Sequence, residues 1–184
     1  MPDTSHQQRG FTLTELLITL TVAAIGLSIA VPSFQSTVNN NRRATAVNQL
    51  VSALHMARSE AVTRNMQVAM CPSANGQSCQ GGGWQTGWIF FTDANQNRAV
   101  DAGDTILGNG PGPANLTISS TQFANFLVYR PSGRIMVNNP DQNTGQFTLC
   151  DSRGASFARV VIIDSSGQPS LSYHQMDGTA PVCP

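Results

Sequence analysis

Residues 11–34 read FTLTELLITLTVAAIGLSIAVPSF, 24 positions in which Glu15 is the only ionisable side chain. The apolar character runs all the way round any helix drawn through them. In that conformation the run rises ~36 Å at ~1.5 Å per residue, enough to cross a hydrocarbon core ~30 Å thick. Further on the pattern narrows to a stripe, with Val47, Leu50, Val51, Leu54, Ala57 and Ala61 at helical spacing and Arg42, Arg43, Asn48, Arg58 and Glu60 read as mostly off it. One helix is therefore predicted to continue to about residue 64, its stripe, with His55 and Met56, in core contact with a sheet. From Met66 the period shortens: MQVAM, GWIFFT, NLTIS, FLVYR, RIMV, QFTLC, ARVVIID and PSLSY are separated by Gly, Pro, Asn and Asp, which predicts antiparallel strands. The Gly/Pro-rich stretch 108–113 reads as a loop between them. Trp84 and Trp88, four apart around Gly87, are expected on the same face of a strand as packing residues. The fold class is α+β, a long N-terminal helix whose C-terminal half lies on one face of an antiparallel sheet.

Composition sharpens this picture. A chain of 184 residues fits one domain with an extension. Ten Arg balance ten Asp and Glu, and Lys is absent, so no generally basic nucleic-acid-binding surface is indicated. Charged residues make up 11%, against ~25% in typical soluble domains, which suits an exported, turn-rich protein. The leader MPDTSHQQRG ends at Gly10 without the small-residue cleavage site that follows the apolar run of an ordinary signal peptide, so the apolar segment reads as a membrane helix. Within it, Glu15 is costly in lipid unless it finds a partner.

The run Gly10, Phe11, Thr12, Leu13, Thr14, Glu15, Leu16, Leu17 resembles the class III signal of type IV pilins and pseudopilins. The body resembles the GspH/FimT (FimU) group of minor pilins and pseudopilins, through residues 57–61 (ARSEA), the run GGWQTGWIFF followed by Asp93, and the segments 147–151 and 159–167. The resemblance implies that a prepilin peptidase cuts between Gly10 and Phe11 and methylates the new Phe11 amino group. It implies that Glu15 pairs with that amino group on a neighbouring subunit, and that Pro32 bends or loosens the helix. The expected organisation is a leader over 1–10, a transmembrane and filament-core helix over 11–34, and a pilin-like domain over 35–184. The chain would cross the bacterial inner membrane once with that domain periplasmic. Expected partners are other minor and major pilins or pseudopilins, the peptidase and an inner-membrane assembly platform. The expected function is that of a minor pilin or pseudopilin near the tip of a type IV pilus or a type II secretion pseudopilus, where it helps start assembly.

Cys71, Cys79, Cys150 and Cys183 all follow the apolar segment, an even count that reads as two disulfides in an exported domain. Three connectivities are possible. Cys71 and Cys79 enclose a short polar loop and are expected to pair, leaving Cys150 for Cys183; zinc is disfavoured by the lack of a Cys-x-x-Cys pair or a nearby His. Asp93, Asn95, Asn97, Asp101 and Asp104 fall at positions 1, 3, 5, 9 and 12 of an EF-hand-like loop and form a candidate calcium site, although Arg98 stands where that loop wants Gly. No enzyme is expected. His6, His55 and His174 sit with no nucleophile or carboxylate cluster, and Gly81 to Gly83 lack the Lys and helix of a phosphate loop. The alternative function is a DNA-binding minor pilin for DNA uptake, since some FimT-like members bind DNA through a Gly-Arg-x-Arg motif. The corresponding stretch here, Gly167-Gln168-Pro169-Ser170, is neutral, so nucleic acid is not an expected partner. Arg130, Arg134, Arg153 and Arg159 are the remaining basic groups of that half, read as a mixed-charge solvated surface.

Overall fold

Helix α1 spans Leu13–Arg64. Thr12 sets its start: the Thr12 Oγ1 accepts the Glu15 backbone N–H at 3.3 Å, the Thr-x-x-Glu arrangement that satisfies an otherwise orphaned donor of the first turn. Asn65 sets its end by turning into the left-handed region at φ 53°. There the Met66 N–H donates to the Ala61 carbonyl and the Asn65 N–H to that of Val62, both at 3.3 Å, which caps the last free carbonyls of the helix. The computed structural model describes residues 11–136 and 143–184, and the chain divides after residue 40 into two units taken separately below. Gly10, with the rest of the leader, and Val137, the end of the RIMV run, lie outside the described residues.

Among the described residues of the second unit, nine strands form two antiparallel sheets where the sequence suggested one. They are β1 (Val68–Pro72), β2 (Gly87–Thr92), β3 (Ile106–Pro111), β4 (Leu116–Ser119), β5 (Leu127–Tyr129), β6 (Ile135–Met136), β7 (Gly145–Asp151), β8 (Arg159–Ile163) and β9 (Pro169–Ser172). The first sheet has the order β3-β2-β1-β5-β6 and the second β4-β7-β8-β9. Every residue of β1 and β2 is buried, which is why their sequences read as continuous rather than alternating apolar runs.

Strand β3 corrects the expectation of a loop at 108–113. Its glycines answer to the strand beside it: Gly108 pairs with Phe90 and Gly110 with Trp88, and a Cβ on either would overlap the facing aromatic ring. Trp84 also differs from expectation. It sits on a 3-10 turn, Trp84–Thr86, rather than on the strand that carries Trp88, although both rings enter the same core. The Trp84 indole N–H donates to the Phe123 carbonyl at 2.6 Å, and its ring meets Phe147 edge-on at 4.9 Å.

The core joins the helix stripe, from Ala46 through Leu50 and Leu54 to Ala61, to the inner faces of both sheets, including Met70, Phe90, Tyr129, Phe147 and Val161. His55 and Met56 are exposed instead, because they fall between Leu54 and Ala57 and out of phase with the stripe. Arg43 is the opposite case, a charge only 6% exposed. A second, smaller cluster on the far face of the first sheet gathers Ala69, Cys71, Ile89, Phe91 and Val128, with Val100 and Phe126 against it.

Candidate assembly interface

Phe11 and the whole of residues 12–34 are exposed, an apolar surface that none of the described residues covers. A contiguous patch of that size marks a membrane or protein contact. Among the described residues one helix, Leu13–Arg64, is long and apolar enough to cross a membrane. Three of its hydroxyl groups are satisfied locally: Thr19, Thr21 and Ser28 donate to the carbonyls of Leu16, Ile18 and Ile25 at 2.8, 2.8 and 2.7 Å. Glu15 lies in the first turn, where the helix dipole favours a negative charge, and it is the only carboxylate of the segment. Pro32 lies inside the helix, where its ring nitrogen has no hydrogen to offer the Ser28 carbonyl.

In the globular unit Cys71 is bonded to Cys79 and Cys150 to Cys183, with Cα separations of 5.5 and 5.9 Å. The first bond closes the loop after β1, and the second ties the C-terminal tail to β7. The calcium candidates are arranged differently from a metal cage. Asp93 is fully buried and its two oxygens accept the backbone N–H groups of Asn97 at 3.0 Å and Arg98 at 3.2 Å. Burial pushes the Asp93 carboxyl up, and those two N–H groups oppose the shift. Asn95 and Asn97 turn their amide donors toward the Asp101 Oδ2, each at 2.7 Å, and the Asn95 amide above all holds the Asp101 carboxyl below its usual range. Asp104 accepts from the backbone of Ala94 and Asp101. Among the described residues no three His, Cys, Asp or Glu side chains gather into a metal-binding group. The loop has a packing role: Val100 joins the smaller core, and the Arg98 guanidinium lies 4.4 Å over the Phe126 ring.

The turn Gly167-Gln168-Pro169-Ser170 leads into β9 and carries a carboxylate of its own. Asp164 Oδ1 accepts Ser166 Oγ at 2.6 Å, Ser166 N at 2.9 Å and Gln168 N at 3.1 Å, so the segment brings a negative charge and no cation of its own, while Arg58 Nη2 donates to the Ser166 carbonyl at 3.3 Å. Three basic residues of the body, Arg43, Arg153 and Arg159, are drawn together elsewhere. Asp151 is gripped by Arg153, at 3.0 Å from Nε to Oδ1 and 2.6 Å from Nη2 to Oδ2, while Arg43 Nη1 lies 3.5 Å from Oδ2 and also donates to the Phe157 carbonyl. The Arg153 hydrogen bonds hold the Asp151 carboxyl well below the usual carboxylate range. Burial lowers the Arg43 guanidinium, and the positive charges of Arg159 and Arg153 lower it further. Arg153 stacks 4.2 Å over Phe157, and Arg159 lies 4.1 Å over Tyr173. The sequence reading missed this cluster, although Arg43 stands three and four residues before Ala46 and Val47 and so in phase with the stripe.

Three comparisons bear on this arrangement. Residues 46–167 match the family described as Type II transport protein GspH, and residues 5–31 match the prokaryotic N-terminal methylation motif. The chain is 32% identical over 172 residues to the pilin-like protein PilA1 of Thermus thermophilus, covering 89% of this chain and 98% of that one. In fold it is similar to the type IV minor pilin FimU of Pseudomonas aeruginosa in two crystal forms, with TM-scores of 0.55 and 0.53 at 20% identity. These cover 79% and 74% of this chain and 96% and 95% of FimU. With its exposed apolar helix, its methylation motif and a helix-on-sheet body of this kind, the chain belongs to the GspH family of pilin-like proteins.

Proposed function

We propose that the chain is a processed minor subunit of a type IV pilus or a type II secretion pseudopilus, placed near the tip, where it helps start assembly. The observation that carries this reading is the exposed apolar segment 11–34 with Glu15 as its only carboxylate, four residues after Phe11. A prepilin peptidase cuts between Gly10 and Phe11 and methylates the Phe11 amino group. Until assembly the helix holds the subunit in the bacterial inner membrane with residues 35–184 on the periplasmic side, and the assembly platform draws it out. In the filament Glu15 pairs with the Phe11 amino group of a neighbour, which offsets part of the cost of removing both charges from water. The periplasmic placement agrees with the two disulfides, which form in oxidising compartments.

The test has two readouts. Intact mass of the membrane-extracted protein is expected to correspond to a chain starting at methylated Phe11. Gold labelling of sheared filaments is expected to mark ends in small number. A mature N-terminus beyond residue 30 overturns the processing reading, and labels spaced along the shaft overturn the tip placement.

A further inference from the structure

Around the first buried residue of the helix stripe, Arg43, the globular unit presents a patch of unusual composition. Arg43 and Arg153 meet the carboxylate of Asp151, and Arg159 adds a third positive charge near Arg43, an excess of two positive charges among the described residues. Arg42 is exposed one position before Arg43 in the helix, and the helix carries no acidic residue between Glu15 and Glu60. Three apolar side chains stand in the same region: Phe157 is 40% exposed under Arg153, Tyr173 65% exposed beside Arg159, and Leu171 54% exposed on the edge strand β9. Burial keeps Arg43 itself from touching a ligand, so its charge acts at a distance, while Arg42 and Arg159 are the guanidinium groups within reach of one.

From this patch we infer that residues Arg42, Arg159, Phe157 and Tyr173 dock on the anionic phospholipid headgroups of the membrane that the apolar helix crosses. The inference rests on the reading of residues 11–34 as the membrane-spanning segment. Arg42 follows Phe34 by eight residues, at most about 29 Å of chain, so the tether keeps the patch at high local concentration near the bilayer surface. Guanidinium groups bind phosphate bidentately, and an aromatic ring with a polar edge partitions to the level of the headgroups, which is the mixture this patch offers. Docking would hold the body of the waiting subunit against the membrane, and its release would accompany withdrawal of the helix. Each Arg near an anionic bilayer contributes roughly fivefold to such an equilibrium.

The experiment uses the full chain reconstituted in nanodiscs of phosphatidylcholine or of a mixture rich in phosphatidylglycerol, read by amide hydrogen exchange. Slower exchange is expected over residues 154–159 and 171–175 in the anionic discs only. It should fade at about 0.5 M salt, where the screening length falls to about 4 Å. Arg42→Gln and Arg159→Gln are each expected to cut the excess protection roughly fivefold, and Arg159→Lys to retain most of it. Unchanged exchange of β1 and β2 in every variant shows that the fold is intact. Equal protection in both lipids, or none in either while the helix amides exchange slowly, overturns the docking alone. Fast exchange of the helix amides in both discs overturns the spanning reading and the docking with it. Protection of the same segments by oligothymidylate at physiological salt, with none from phosphatidylglycerol, overturns the inference in favour of single-stranded nucleic acid.

Discussion

Replacing Asp151 by Ala tests the central electrostatic arrangement of the body. The carboxylate side chain is 5% exposed and the Arg43 side chain 8%, so the substitution leaves a buried guanidinium with the Phe157 carbonyl and without its counter-ion. Breaking a buried pair from one side costs about 3 to 5 kcal/mol. The 3.5 Å separation of Arg43 from Asp151 and the 16% exposure of Arg153, which regains water when released, bring the expectation down to about 2 to 3 kcal/mol. In a domain of this size that corresponds to a Tm lower by about 5 to 10 °C, measured by circular dichroism on the full chain in detergent. Adding Arg43→Met to Asp151→Ala is expected to recover part of the loss, because the stranded charge goes with it. The pH dependence has a definite sign. Asp151 has a folded-state pKa below its unfolded value, so its contribution is complete above the unfolded value of about 4 and is lost as pH falls through the folded one. The native protein should therefore lose more stability than the variant between about pH 5 and pH 2. A Tm change within about 1 °C, or a double variant as unstable as the single one, would refute the reasoning.

Glu15→Ala is expected to insert in the membrane as the native chain does and to be depleted from sheared filaments, measured by immunoblot of both fractions; normal incorporation would remove the intersubunit role of this carboxylate. Opening the Cys150–Cys183 bond with paired Ser substitutions releases a sequence separation of 33 residues. The chain-entropy relation sets that loss at about 3 to 4 kcal/mol, to be measured by denaturant unfolding. Millimolar calcium is expected to leave the Tm of the protein unchanged, since the carboxylates of Asp93 and Asp101 are already engaged by donors of their own loop; a rise in Tm would restore the metal reading.

The helix and most strands were legible because each shows one clear period, from the uniformly apolar start through the stripe at Leu50 and Leu54 to the short runs after Met66. Strand β3 was hidden by its own composition. Gly108, Asn109 and Gly110 look like a turn when read alone, and become a strand only opposite Phe90 and Trp88, whose rings fill the space that side chains would need. The division into two sheets was not legible, because alternation reports which face of a strand is buried and not which strand lies beside it. Arg43 was misread by residue type: its phase placed it in the core, and a charge was taken as a sign of exposure. The partner that makes its burial tolerable, Asp151, lies on β7, more than a hundred positions away.

Three hydroxyls of the apolar segment close on carbonyls one turn back, and this gives residues 16–31 a chemical self-sufficiency. Thr19, Thr21 and Ser28 ask nothing of what surrounds them, so a shell of acyl chains and a shell of neighbouring helices are nearly equivalent environments for this rod. On the proposed transfer from membrane to filament, exchanging one shell for the other would break none of these three hydrogen bonds. Glu15 stands outside that indifference. On the proposed pairing with a neighbour's Phe11 amino group, the free energy of this side chain would change with the identity of its neighbours, and it would be the position at which such a helix registers that it has arrived beside another subunit.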